Sequence, residues 1–212
     1  MTGPVLIIDD HAIVAISLAL ALKAEGLEAS RCPVDTLDGV LAEAGRLPAG
    51  LALVDLELTD GARGADLVGP LRAQGWQVLV LTGTTDRTKI ADAVAAGALG
   101  WVSKAAPFAE LVKAVLSAAR GQSVLAETER AELAELHRRS RAEADLLSRL
   151  TARERAVLDR LAEGWRAARI AEESVVSLAT VRSQIRSILA KLEVGSQLEA
   201  VALARSAPAA RR

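Results

Sequence analysis

Over the first 121 residues, short apolar runs alternate with longer stretches whose apolar positions recur at helical spacing. The runs are Val5 to Ile8, a weaker one near Leu27 to Ser30, Leu51 to Asp55, Val78 to Thr82 and Leu99 to Val102. The stretches around them predict helices at about 11–25, 34–45, 62–74, 86–96 and 107–120. Gly26, Gly75, Gly97 and Gly121 stand near their ends, where a left-handed residue closes a helix. The strand runs are apolar throughout rather than alternating, as in strands covered by helices on both faces. This pattern predicts an α/β fold, a doubly wound five-stranded parallel sheet.

After Gly121 the pattern changes. Residues 122–149 hold no Gly or Pro and are rich in Ala, Glu, Arg and Leu, which predicts one helix at about 126–149. Leu133, Leu136, Leu147 and Leu150 fall on a heptad seam that Ser140 and Glu143 interrupt, so the segment reads either as a solvated spacer or as a helix packed on a second chain. From Leu150 the period is helical throughout: four helices, at about 151–162, 167–173, 178–192 and 196–205, precede a polar tail, Ala207 to Arg212. The expected domains are 1–121, a helical linker at 122–149, and an all-α domain at 150–212.

Composition narrows the class. With 51% hydrophobic and 25% charged residues the chain is not intrinsically disordered, and no apolar run reaches the length of about 18 that a membrane span needs. One cysteine, Cys32, allows no internal disulfide, and the N-terminus lacks the features of a secretory signal, so a cytoplasmic protein without a membrane partner is expected. The net charge of −1 conceals an asymmetry. Residues 1–121 carry ten basic and fourteen acidic side chains, residues 150–212 eleven and seven, which assigns a nucleic-acid partner to the C-terminal end.

Ligands of doubly wound sheets bind beyond the carboxyl ends of the strands, and here those ends are polar. They read Asp9-Asp10, Asp55, Thr82-Gly83 and Ser103-Lys104. Carboxylates gathered at one sheet edge resist ionisation unless a cation joins them, and a hard divalent ion such as Mg²⁺ suits oxygen ligands. A lysine charge and a threonine hydroxyl beside them suit an incoming phosphoryl group.

Asp9-Asp10, Asp55, Thr82 and Lys104, with His11 after the acidic pair and Gly97-Ala98-Leu99-Gly100 before the last strand, resemble the signature of the flavodoxin-like receiver domain of two-component response regulators over residues 4–120. The resemblance implies that Asp55 takes a phosphoryl group from a sensor histidine kinase. It also implies that Asp9, Asp10, Asp55 and the Glu57 backbone carbonyl hold Mg²⁺, that Lys104 and Thr82 bind the phosphoryl oxygens, and that Trp101 sits at the switch position. Two positions depart from the family pattern. Trp101 stands where Tyr, Phe or His is usual, and Thr59-Asp60 where a Pro is common.

In the C-terminal domain, Thr151 and Glu154 form a capping-box pattern. Val181, Ile185, Ile188 and Leu192 make an apolar stripe on the helix at 178–192, and Arg182 and Arg186 lie one turn apart on another face, with Ser183, Gln184 and Ser187 beside them. Such a front suits a DNA major groove. Leu150-Thr151-x-Arg153-Glu154, Gly164, Ile170-Ala171, Thr180-Val181 and Lys191-Leu192 resemble the LuxR-type (NarL/FixJ) helix-turn-helix domain over residues 150–204, with Trp165, Ala167 and Val175 as departures. That resemblance implies base contacts from Arg182, Ser183 and Arg186, and phosphate contacts from Thr180, Gln184 and Lys191. It implies a homodimer formed through the last helix, with Leu198, Val201 and Ala202 as the contact stripe.

Together these readings describe a transcription factor of a phosphorelay, a switch and not an enzyme. Two alternatives share its residues: a phosphorylation-independent LuxR-type factor using the receiver to dimerise, and a Mg²⁺-dependent aspartyl-phosphate phosphatase.

Overall fold

The computed structural model describes residues 3–34, 36–58 and 63–206. The Thr59-Asp60 departure and the tail from Ala207 lie outside the described residues. The chain divides into two compact units, Met1–His137 and Arg138–Arg212.

In the first unit the strands are β1 (Val5–Ile8), β2 (Ala29–Cys32), β3 (Leu51–Asp55), β4 (Gln77–Thr82) and β5 (Gly100–Ser103). They form one parallel sheet in the order β2-β1-β3-β4-β5. The two-residue period of the pleat sorts their side chains into two cores. Leu6, Ile8, Ala52, Val54, Val78 and Val80 enter one; Val5, Ile7, Leu51, Leu53, Leu79 and Leu81 enter the other. Helices α1 (Ala12–Ala24) and α5 (Phe108–Ala119) cover the second core. Helices α2 (Leu37–Ala44), α3 (Ala65–Ala73) and α4 (Arg87–Ala95) cover the first, which also holds Trp76, 1% exposed. Burial on both faces explains why the strand runs are continuously apolar.

The second strand begins two residues later than its apolar run suggests. Gly26 adopts φ +82° and the Leu27 N–H donates to the Leu22 carbonyl, so Leu27 finishes the cap of α1. Pairing to β1 starts only at Ala29.

In helix α6 (Glu127–Ser148) the leucines of the heptad seam divide between the two units. Leu133 is 1% exposed and joins the core of the first unit, with Leu136 packed beside it, whereas Leu147 and Leu150 belong to the core of the second unit. Burying one leucine contributes about 1.5–3 kcal/mol, more than an exposed ion pair supplies, so each unit claims the leucines within its reach.

The second unit continues through α7 (Ala152–Ala162), α8 (Ala167–Glu173), α9 (Leu178–Leu192) and α10 (Gln197–Ser206). Val157, Leu158, Leu161, Ile170, Val181, Ile188, Leu192 and Ala200 form its core. Among the described residues no helix is long and apolar enough to cross a membrane.

The turn between α8 and α9 is closed by Val175 at φ +52°, with the Val176 N–H donating to the Ala171 carbonyl. This is the position where helix caps favour Gly or Asn, and a β-branched residue there is strained by roughly 1–2 kcal/mol. Val175 is also 91% exposed, so its side chain recovers little by packing. Val175→Asn is expected to stabilise the second unit by about 1 kcal/mol, read as a higher unfolding midpoint in thermal denaturation.

Candidate functional site

The ends of β1 and β3 bring together Asp9, Asp10 and Asp55. Asp9 and Asp55 are 1% and 2% exposed. Lys104, which follows β5, reaches both: its Nζ lies 2.6 Å from Asp9 Oδ2 and 2.7 Å from Asp55 Oδ2. Backbone groups hold the other oxygens, the His11 N–H donating to Asp9 Oδ1 at 2.8 Å and the Glu57 N–H to Asp55 Oδ1 at 3.1 Å. Burial pushes the Asp55 carboxyl above its ordinary value, and the Lys104 and Glu57 hydrogen bonds draw it down without cancelling the shift. Burial works against the Lys104 ammonium too, yet its hydrogen bonds to Asp55 and Asp9 hold its pKa above the ordinary one.

Carboxylate oxygens of the three aspartates and a ring nitrogen of His11 lie within 4.8 Å of one another. The aspartates supply hard, anionic oxygen donors, a set compatible with Mg²⁺. The His11 Nδ1 is 2.8 Å from Asp10 Oδ1. Glu57 directs its side chain to Lys89 at 3.1 Å.

Thr82 is fully buried, its Oγ1 accepting the Thr84 N–H at 3.1 Å, and its carbonyl accepts the Lys104 N–H at 2.9 Å. Trp101 is half-buried against the α4 side of the sheet, and its indole N–H donates to Glu129 Oε1 of α6 at 3.0 Å.

Two features of this unit escape a reading of the sequence. A Cβ on Gly64 would lie 1.7 Å from the Asp55 carbonyl oxygen, so only glycine lets α3 start against the strand that carries Asp55. Ile13, Ile16 and Leu20 of α1 are 83%, 52% and 63% exposed, just after the acidic pair. Their spacing of three and four is a signal, but α1 is apolar on every side and its outer face cannot be told from its inner one.

In the second unit Arg182, Ser183 and Arg186 are exposed on α9, on the side away from buried Val181, Ile188 and Leu192. Gln184 is half-buried, and the Thr180 hydroxyl is 2.8 Å from the capping Ser177 hydroxyl. Lys191 is engaged within the fold: its Nζ is 2.6 Å from Oε2 of Glu154, which is 6% exposed. Glu154 also accepts from the Thr151 N–H at 2.8 Å and the Ser187 hydroxyl at 2.6 Å. The capping box thus extends into a clasp from α7 to α9, signalled in the sequence only by the four-residue spacing of Ser187 and Lys191. On α10, Leu198 and Ala202 are exposed but Val201 packs into the core, so the expected contact stripe is split. The guanidinium groups of Arg160 and Arg169 lie over the Trp165 ring, at 4.5 and 3.9 Å from its centre.

Bonds from Lys191, Ser187 and Thr151 hold Glu154 at about 2, below the ordinary 4.5. The folded-state value is depressed, so the stabilisation is complete above about 4.5 and is lost as pH falls towards 2. Glu154→Gln is expected to speed hydrogen exchange of α7 and α9 amides at neutral pH, and its difference from the unaltered chain is expected to shrink through that window.

A family model described as the response regulator receiver domain matches residues 5–116, and one described as bacterial regulatory proteins, luxR family, matches residues 148–204. The DNA-binding transcriptional activator DevR/DosR of Mycobacterium tuberculosis is 33% identical over 94% of this chain and 93% of its own. The transcriptional regulatory protein LiaR of Bacillus subtilis is 30% identical over 94% and 95%. Among solved structures, RcsB from Salmonella enterica serovar Typhimurium, bound to a promoter, shares the fold with a TM-score of 0.53 at 23% identity, covering 95% of this chain and 98% of that one. A receiver sheet with its acidic pocket, a C-terminal helix-turn-helix unit and relatives matched over nearly their whole length all agree: this chain belongs to the two-component response regulators with a LuxR-type DNA-binding domain.

Proposed function

We propose that this chain is a transcription factor switched by phosphorylation of Asp55. Residues 1–121 act as the phosphoacceptor domain, 122–149 as the linker and 150–212 as the DNA-binding domain. One observation carries the reading: a buried Asp55 carboxylate beside Asp9 and Asp10, with a lysine ammonium at 2.7 Å.

In the reaction, an Asp55 carboxylate oxygen attacks the phosphorus of a kinase phosphohistidine. The P–N bond breaks, the imidazole leaves with the bonding pair and takes up a proton, and an aspartyl phosphate remains. Asp9, Asp10, Asp55 and the Glu57 carbonyl would hold Mg²⁺, which when bound neutralises charge on the transferring oxygens. Lys104 exchanges Asp55 for a phosphoryl oxygen while keeping Asp9, and the Thr82 hydroxyl turns from Thr84 to the phosphoryl group. The donor must bring its histidine to the pocket mouth. Exposed Ile13, Ile16 and Leu20, which begin two residues after His11, give a sensor histidine kinase an apolar surface to cover there.

On the DNA side, Arg182, Ser183 and Arg186 read base edges, and Thr180 and Gln184 meet phosphates. Lys191, 35% exposed, has donors left for a phosphate while it holds Glu154. Leu198 and Ala202 on α10 support a homodimer reading two half-sites about one helical turn apart. The protein works where its DNA is, in the cytoplasm, and as a switch rather than a turnover catalyst.

With Mg²⁺ and beryllofluoride, a phosphoryl mimic, the protein is expected to pass from monomer to dimer in light scattering, and Asp55→Asn to stay monomeric. A dimer indifferent to both additions would leave the receiver as a plain dimerisation module. Arg182→Ala and Arg186→Ala are each expected to weaken operator binding by about 1–3 kcal/mol and to relax preference at one base pair, measured by titration against a panel of operator variants. Uniform weakening across the panel would remove these residues from the recognition face.

A further inference from the structure

The first turns of α6 are tied to one face of the receiver by side chains spread along three of its turns. Glu129 accepts the Trp101 indole N–H at 3.0 Å, and the Arg130 guanidinium donates to the Leu99 carbonyl at 2.8 Å. Glu132 pairs with Arg87 at 3.2 Å, and His137 Nδ1 lies 2.9 Å from Asp92 Oδ1. Between them Leu133, 1% exposed, enters the core that contains Ile90 and Ala91. Every partner belongs to α4, to β5 or to the residue just before β5.

Those elements are also the ones joined to the pocket. Trp101 is in register with Val80, and two residues along each strand Ser103 faces Thr82. Thr82 shares the sheet face of Val80 and Trp101, and Lys104 bonds to its carbonyl. Helix α4 follows Thr82 after a short turn, in which Thr84 is bonded to the Thr82 hydroxyl and Asp86 caps the helix through the Thr88 N–H. Thr82 and Lys104 thus share strand ends and a helix with the anchor of α6.

We propose that residues 127–137 are a detachable ligand of the receiver's own α4–β5 face, that Trp101 positions them there, and that phosphorylation of Asp55 releases them. The proposal rests on the reading of Asp55 as phosphoacceptor. While the segment is seated, the α4–β5 face is closed to a second copy of the chain. The alternative is a permanent brace, an ordinary sixth helix of the domain.

Hydrogen exchange of the full chain in Mg²⁺, with and without beryllofluoride, separates the two. The expected result is protection of residues 51–58 together with at least tenfold faster exchange of residues 127–137, while α9 stays unchanged. Protection of 51–58 with no change at 127–137 makes the helix a brace and overturns the release. No protection at 51–58 removes the phosphoacceptor reading itself, and the proposal with it. Trp101→Phe, which keeps a ring but loses the indole N–H, and Glu129→Ala, on the half-buried side of α6, are each expected to speed exchange at 127–137 several-fold without beryllofluoride while retaining its protective effect at 51–58. Unchanged exchange at 127–137 in both variants removes Trp101 as the positioning residue.

Discussion

A carboxylate cannot be buried alone, and the pocket of this protein is organised around that constraint. Asp9 and Asp55 leave water on adjacent strands only because Lys104 meets both, and removing one partner of such a set costs roughly 3–5 kcal/mol. The strand order places β5 at the edge, so the cation must reach across β4 to Asp55 and across β4 and β3 to Asp9. A lysine stem has that length, and its ammonium can change partners without a fixed fork geometry. The same reach makes the end of β5 responsive to the charge of a residue two strands away.

The second unit solves a similar problem with another outcome. Glu154 is buried with Lys191, Ser187 and both the hydroxyl and the N–H of Thr151, and it gathers α7 and α9 into one body. There the charged set joins two helices, and its effect is to hold α9 against α7. Among the described residues, a buried carboxylate thus meets a lysine in each unit.

Most of this was legible from residue order. Polar strand ends after continuous apolar runs placed Asp9, Asp55, Thr82 and Lys104 at one sheet edge, and period alone separated the outer arginines of α9 from its inner valine and isoleucines. What stayed hidden depends on partners distant in the chain. Heptad spacing shows that Leu133 wants burial but not against what, and the answer, the core around Ile90, lies some forty residues earlier. Lys191 reads as a surface cation until Glu154 is seen beside it, and Leu27 reads as strand until its N–H is found closing α1. Ile13, Ile16 and Leu20 are unreadable for a different reason: on a helix apolar all round, period carries no information about which side faces out.

The tryptophans give the chain a further property. It has three of them and no tyrosine, so its near-ultraviolet absorption and emission come almost wholly from indoles. Trp76 lies in a buried core, Trp101 donates to a carboxylate of α6, and Trp165 has two guanidinium groups over its ring. Each therefore has its own polarity and its own quenching neighbours, and the intrinsic light of the protein is a sum of three signals, from the receiver interior, the α6 contact and the DNA-binding unit.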